Sequence, residues 1–481
     1  MLHMKTKLGL VIILVVVSFS CKKKIDSGEN MPPPPTASTA EELLMDSVFL
    51  YSKEVYFWND RIPSYDQFNP RQYKGADELK SAQNVMGAIR KLQPLDRYSF
   101  VTTQEESDGI QTGQDKDFGF FLKSASVDVA APLDSIYWFV SYVYDQSTAG
   151  AAGVKRGWII NKVNGTQLSY DESGINILNN IFFGAPTTAS FEFIKPDKTK
   201  VTASLSKSSF QANSVLYKNV LNLGSKKVGY LVFNQFFGAP SRRELGDAFT
   251  LFQSQGITEL IVDLRYNPGG STETQDTLAN LIAPLAANNQ KMYTYQFNPQ
   301  LQQGNFPLLK KKAGFQNVSF SEATNMVNYE KAGILNLSRV FFIVTHSSAS
   351  ASELIINNLK PYMEVKLIGD TTYGKPVGFF PIEISRYAIY PISFRTINSA
   401  GNADYYTGFA PDKLSADGVN KDWGDVTEPS LASALNYIGT GTFGRATENR
   451  LMKLRRDAQQ LLKPAQNNLE SKKFIGMYKE D

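Results

Sequence analysis

The sequence predicts a layered α/β domain, preceded by a β-rich domain and a small helical domain. Three observations carry that reading. From 213 to 440, short apolar strand runs alternate with helical periodicity, the pattern of strands covered by helices. From 111 to 212, short β-rich runs are separated by glycine and Asn-Gly turn signals. From 41 to 110, Leu43, Leu44, Val48, Phe49, Val55, Phe57 and Trp58 recur at three- and four-residue steps, the spacing of one helix face.

Composition bounds the function. The chain has 481 residues, enough for two or three cores, with 42% hydrophobic and 20% charged residues. A net charge of +4, dispersed along the chain, gives no footprint for nucleic acid. The many Tyr and Phe residues fall in predicted strands and read as core.

Residues 1–20 read as an export signal. Lys5 and Lys7 precede the apolar run Leu8–Val17, which is too short for a stable membrane span. Ser18-Phe19-Ser20 lead to Cys21, the only cysteine in the chain, so it has no internal disulfide partner. Its position suits lipid modification as the first residue of a mature bacterial lipoprotein; the other reading is a cysteine lost with the signal. Ser18 stands where an aliphatic residue is commonest in such signals. Residues 21–40 contain Met31-Pro32-Pro33-Pro34-Pro35-Thr36 and read as a tether from a membrane. The expected location is therefore the bacterial cell envelope, facing the periplasm or on the outer membrane.

In the β-rich region, Asp117-Phe118-Gly119-Phe120-Phe121-Leu122 opens the run. Gly153 to Gly165 gives a glycine turn, a buried strand and an Asn-Gly hairpin. A helix over 175–181 and strands over 190–194 and 200–205 follow. In the next domain, strands are expected at 229–233, 257–265, 340–345 and 365–369, and helices at 245–254, after Gly270 and through Leu359. Residues 441–481 read as a surface helix over 446–462 and a frayed end.

The chemistry centres on Ser350, in Ser348-Ala349-Ser350-Ala351-Ser352-Glu353, between a predicted strand and a predicted helix. A serine nucleophile needs a base. The chain has only two histidines, His3 in the signal and His346. His346 ends the strand before Ser350 and is expected on the rim. Lysine is the remaining candidate, and Lys375 sits in an apolar, glycine-rich stretch, Tyr373-Gly374-Lys375-Pro376-Val377-Gly378-Phe379-Phe380. A free lysine has a pKa of about 10.4, and burial lowers it because desolvation disfavours the ammonium form. Unsatisfied N–H groups at the start of the Ser350 helix are suited to an oxyanion. Asn267-Pro268-Gly269-Gly270 offers further N–H groups for close approach. Each motif has a plain structural reading beside the chemical one: a capped helix at Ser350, a tight turn at Gly269-Gly270, a surface charge at Lys375.

Together, Leu264 to Gly270, Ser348 to Glu353 and Thr372-Tyr373-Gly374-Lys375 resemble, in order and spacing, the three signature blocks of the carboxyl-terminal processing peptidases, or tail-specific proteases. The middle region resembles their PDZ domain. The resemblance covers about 41–438. It implies a crotonase-like α/β peptidase domain and a serine endopeptidase that cleaves proteins near their carboxyl ends through an acyl-enzyme. Ser350 would be the nucleophile and Lys375 the general base, with Glu353 an auxiliary acid or a helix cap. Backbone N–H groups of Ala351, Gly269 and Gly270 would form the oxyanion hole. Phe118, Gly119, Phe120 and Phe121 would hold a substrate carboxylate. Substrates would be proteins or peptides with free carboxyl ends, with no metal or organic cofactor. The chain departs from the family at Phe379, where glutamine is common, at Pro361, where aspartate is common, and at Trp158 in the PDZ-like block. A non-catalytic peptide-binding lipoprotein is the alternative.

Overall fold

The computed structural model describes residues 38–126, 136–443 and 474–480. The expected export signal, Cys21, the tether up to residue 37 and the expected helix over 446–462 lie outside the described residues; the tether's expected last residue, Ala40, opens a helix capped by Thr39. No helix among the described residues is long and apolar enough to cross a membrane.

The central sheet has six strands in the order Val215–Leu223, Lys226–Phe233, Glu259–Asp263, Arg339–Val344, Glu364–Gly369 and Lys413–Leu414. The first pair is antiparallel and every later pair is parallel. Its strands are apolar on both faces, and side-chain alternation divides them between two cores. Leu231, Phe233, Leu260, Val262, Val340, Phe342 and Val344 pack on the side of Ala239–Gln255, Thr272–Ile282 and Ala351–Leu359. Tyr230, Val232, Ile261, Phe341 and Ile343 pack against Pro429–Thr440. The expected α/β layering is present.

Two features differ from the sequence reading. The helices Ala40–Val55 and Glu78–Arg90 do not form a core of their own. Leu44, Val48, Phe49, Val85 and Ile89 belong to the same buried cluster as the sheet helices, and Phe100–Thr103 pairs antiparallel with Tyr387–Tyr390. A second antiparallel sheet, Met326–Asn328, Lys291–Phe297, Phe394–Asn398 and Val377–Gly378, adds strands where only strand–helix alternation was expected. Periodicity reports burial within an element, not which neighbour supplies it.

The β-rich region forms a sheet of Phe120–Ser126, Ile136–Val143, Ile159–Val163, Thr188–Ile194 and Lys200–Ser206, with Thr166–Gln167 beside Ile159–Val163. Asn164 and Gly165 both have positive φ (50° and 81°), as the hairpin between these two strands requires. Helix Glu172–Phe183 covers the sheet, burying Leu178, Ile181 and Phe182 against Phe118, Phe120 and Phe191. Gln114–Asp117 and Ser208–Gln211 pair antiparallel, so the chain enters and leaves this module at one place.

The frayed end predicted from the sequence is corrected. Gly476–Tyr478 is a strand, Met477 and Tyr478 are fully buried, and the strand pairs in parallel with Gly269–Ser271. A seven-residue window of mixed character carries too little periodicity to reveal a partner so distant in sequence.

Candidate active site

Three loops leave the carboxyl ends of neighbouring parallel strands and meet at one place. They follow Glu259–Asp263, Arg339–Val344 and Glu364–Gly369, and carry Gly269-Gly270, Ser350 and Lys375 respectively. The carboxyl edge of a parallel sheet is where such folds bind ligands.

Ser350 caps the helix Ala351–Leu359 with φ 58° and ψ −106°. A non-glycine residue held at positive φ costs on the order of 1–3 kcal/mol and persists only where its surroundings enforce it. Here they do. Ala349 N–H and Ser352 Oγ both donate to Asn267 O at 3.0 Å. Ser348 Oγ donates to Leu264 O at 2.7 Å. The Ser350 loop is thus bolted to the 264–267 turn. Ser350 is fully buried, and its hydroxyl has no hydrogen-bond partner among the described residues. Ser350 and Glu353 take the reciprocal positions of a capping box, with the Ser350 oxygen itself making no hydrogen bond to the helix N–H groups.

Glu353 is the link between the two predicted reactive residues. Its carboxylate accepts from Ser350 N at 2.9 Å and Lys375 N at 2.8 Å through one oxygen. The other accepts from Gly374 N at 2.7 Å and Thr372 Oγ1 at 2.6 Å. Burial raises its pKa, and these four donors oppose that rise. One buried carboxyl therefore sets the spacing of both backbones.

Lys375 is fully buried. Its Nζ lies 4.0 Å from the Phe379 ring centroid, 4.7 Å from that of Tyr98 and 6.0 Å from that of Phe474. Desolvation holds its pKa well below the usual lysine value, while Asp96 and Glu353 act through space in the opposite direction. Asp96 is fixed by Tyr56 Oη at 2.8 Å and Ser99 Oγ at 2.6 Å. Lys375 does not bond to Ser350: Nζ donates to Ile475 O at 2.6 Å. The segment that contributes this carbonyl, together with Tyr98 and Asp96, was missed from sequence. All lie far from the motifs along the chain and carry no spacing signal.

The two glycines are required by contact. A Cβ on Gly269 (φ 110°) would meet Gly476 O at 2.3 Å and Ser350 Cβ at 3.0 Å. One on Gly270 (φ 136°) would meet Phe236 O at 2.0 Å. Gly269 N–H donates to Asn267 Oδ1 at 3.0 Å, so in this state it points to the turn rather than into open space. Ala351 opens the helix beside Ser350, buried.

Of the departures, Pro361 is exposed beyond the end of the Ser350 helix, which closes at Leu359. Nine helical residues at about 1.5 Å each separate that end from Ser350. Phe379 is in direct contact with Lys375. His346 is exposed and stacks near Tyr373, with centroids 5.1 Å apart, on the rim as expected.

Phe118 and Phe120 are buried in the core of the β-rich module, while Phe121 stacks on Tyr142 at 4.5 Å. Gly119 has φ 84° and packs against Ser147. A cavity of about 110 Å³ runs from this loop to the three-loop site, lined among others by Asp117, Phe121, Pro268, His346, Tyr373 and Ile475. The module is latched there by Asp417, which accepts from Lys123 Nζ at 2.7 Å, Arg156 Nη2 at 3.0 Å, Arg265 Nη1 at 2.9 Å and Tyr266 Oη at 2.7 Å. Two of these donors come from the module, and two from the strand-to-turn segment that leads to Gly269.

Residues 227–415 match the model of Peptidase family S41. A Staphylococcus epidermidis protein named "Probable CtpA-like serine protease" is 25% identical over 326 residues, covering 65% of this chain and 56% of its own length. One of the same name from Staphylococcus aureus is 25% identical over 319 residues, covering 65% and 55%. The chain spans about half the length of the curated relatives it matches. A crystal structure from Bacteroides fragilis, assigned to the S41 proteases, superposes with a TM-score of 0.63 at 22% identity, covering 82% of this chain and 97% of that one. At that identity the likeness is one of fold. The segment that matches the family model spans the Gly269, Ser350 and Lys375 loops.

Proposed function

We propose that the protein is a serine endopeptidase with a Ser350–Lys375 dyad. The observation that carries this reading is the pairing of a buried, unpartnered serine hydroxyl with a desolvated lysine, both backbones clamped by Glu353. Neutral Lys375 takes the Ser350 proton as Oγ attacks a peptide carbonyl. The oxyanion is held by N–H groups of Ala351 and the Gly269-Gly270 turn, with Gly269 N–H released from Asn267 Oδ1. Lys375 then gives its proton to the leaving amine, and water hydrolyses the acyl-enzyme with Lys375 again as base.

The substrate proposed is a protein or peptide with a free carboxyl end, cleaved near that end. Its carboxylate would rest on the Phe118–Phe121 loop of a PDZ-like module, and the cavity from that loop to the three-loop site supports such a route. Export as a lipoprotein through Cys21 is part of the same proposal.

The test is cleavage of an unstructured protein by the chain from Lys22 onward, with Ser350→Ala and Lys375→Ala beside it, from pH 6 to 10. Activity that rises with pH and vanishes in both variants is expected. No cleavage under any of these conditions, with retained binding of carboxyl-ended peptides, favours the non-catalytic scaffold. The observation on that side is that Lys375 bonds to Ile475 and not to Ser350.

A further inference from the structure

The segment 474–480 lies in the site as a peptide strand would. Gly476–Tyr478 runs parallel to Gly269–Ser271, with Gly476 opposite Gly269, Met477 opposite Gly270 and Tyr478 opposite Ser271. On its other edge Phe379 N–H donates to Met477 O at 3.0 Å, and Lys479 N–H donates to Phe379 O at 3.0 Å. Gly476 N–H donates to Pro268 O at 3.1 Å. The strand therefore fills a slot between the glycine turn and the Lys375 loop and satisfies both walls, as a captured strand does.

Its contacts fall on the reactive groups. Ile475 O takes the Lys375 Nζ donor. Gly476 O lies against the same face of Gly269 as Ser350 Cβ. A Cβ on Gly476 would stand 2.7 Å from Lys375 Nζ and 2.6 Å from the Phe379 ring, so a larger residue here displaces the side chains around the base. Phe474 closes the aromatic surround of Lys375, and Ile475 lines the cavity that comes from the β-rich module. The strand is anchored beyond the site by Glu480, whose carboxylate accepts from Arg242 Nη1 and Ser271 Oγ.

We propose that residues 474–480 occupy the substrate slot of this site and hold the protein self-blocked, and that a substrate strand binds only when this segment leaves. This rests on the peptidase reading above for its consequence, but not for its geometry. Lys375 Nζ donates to Ile475 O and makes no bond to Ser350. The contact thus fills the slot and engages the base together. A ligand that binds only the open form gains apparent affinity in proportion to the open population.

The test uses the full chain, a fluorescent copy of residues 474–480 as probe, and an unstructured protein as substrate. Glu480→Lys sets a cation against Arg242. Met477→Asp/Glu480→Lys adds a carboxylate to a fully buried position. Reversing the pair, with Arg242→Glu/Glu480→Lys, restores the attraction. The expected result is about tenfold tighter probe binding and about tenfold faster cleavage in the first two variants, with cleavage returned toward wild type by the reversal. Probe affinity unchanged in both weakened variants overturns the proposal and makes the segment an ordinary structural strand. Tighter probe binding with no cleavage by any form leaves the block standing and removes the peptidase reading.

Discussion

Arg265 and Lys375 are both buried cations, and their surroundings are opposite. Arg265 is held by Asp263 at 2.7 Å, Asp417 at 2.9 Å and Glu428 at 2.9 Å, and these carboxylates raise its pKa well above the usual value against the effect of burial. Lys375 has aromatic rings and one carbonyl, and burial drives its pKa down. The guanidinium forms a planar fork that carboxylates match and does not lose its proton in proteins, whereas an ammonium in an apolar pocket readily does. A fully compensated charge joins segments together. An uncompensated one is available for proton transfer.

Substitution at each cation gives the sharpest test of that contrast. Lys375→Met should abolish cleavage, by on the order of 10⁴-fold or more as for other members of a catalytic unit, with no loss of stability at neutral pH. Steady-state kinetics and urea unfolding on the same preparation check both halves. Arg265→Met should do the reverse in kind. It removes the guanidinium shared by three buried carboxylates and should cost about 3–5 kcal/mol of unfolding free energy, read from the urea midpoint. Equal destabilisation by the two substitutions would break the comparison.

pH separates them further. The folded-state pKa of Lys375 lies below its ordinary value of 10.5, so between the two the unfolded chain binds more protons and stability rises with pH. Urea midpoints followed upward from neutral pH should show this rise in the wild type and not in Lys375→Met. Cleavage should increase over the pH range where Lys375 loses its proton. Phe379→Gln should move that range upward, because a side-chain carbonyl beside Nζ stabilises the ammonium and the smaller apolar surface desolvates it less. A pH–rate profile displaced downward would contradict this account of the aromatic contact.

The smallest effect concerns Asp117, whose pKa burial raises to about 6, with Asp115 adding to the rise and Phe118 N–H and Lys207 opposing it. A folded value above the ordinary 3.8 means stability is lost as pH rises from about 4 to about 6. Because the carboxyl is still partly exposed, the loss should be about 1–2 kcal/mol. Asp117→Asn should remove it, as seen in thermal unfolding at pH 4 and pH 7.

The sequence and the structure agree where the determining interactions are local. The strand before Ser350, the helix after it and the hairpin at Asn164-Gly165 follow from periodicity and turn chemistry. Glu353, three residues beyond Ser350, is readable as a helix cap; that it also clamps the Lys375 loop is not, because that loop returns from another strand. The motif order likewise leaves open what surrounds Lys375. Tyr98 comes from the helical region and Phe474 from the end read as frayed, and neither is marked by spacing.

By itself the sequence determined the α/β class, the family resemblance and the candidate residues Ser350, Lys375 and Glu353, since each depends on residue type within a short window. Only the tertiary structure decided that the helical region shares the main core, that Asp417 latches the β-rich module to the turn before Gly269, and that residues 474–480 stand in the site. Burial, desolvation and strand pairing are properties of what the chain brings together across long separations, and no local pattern encodes the partner.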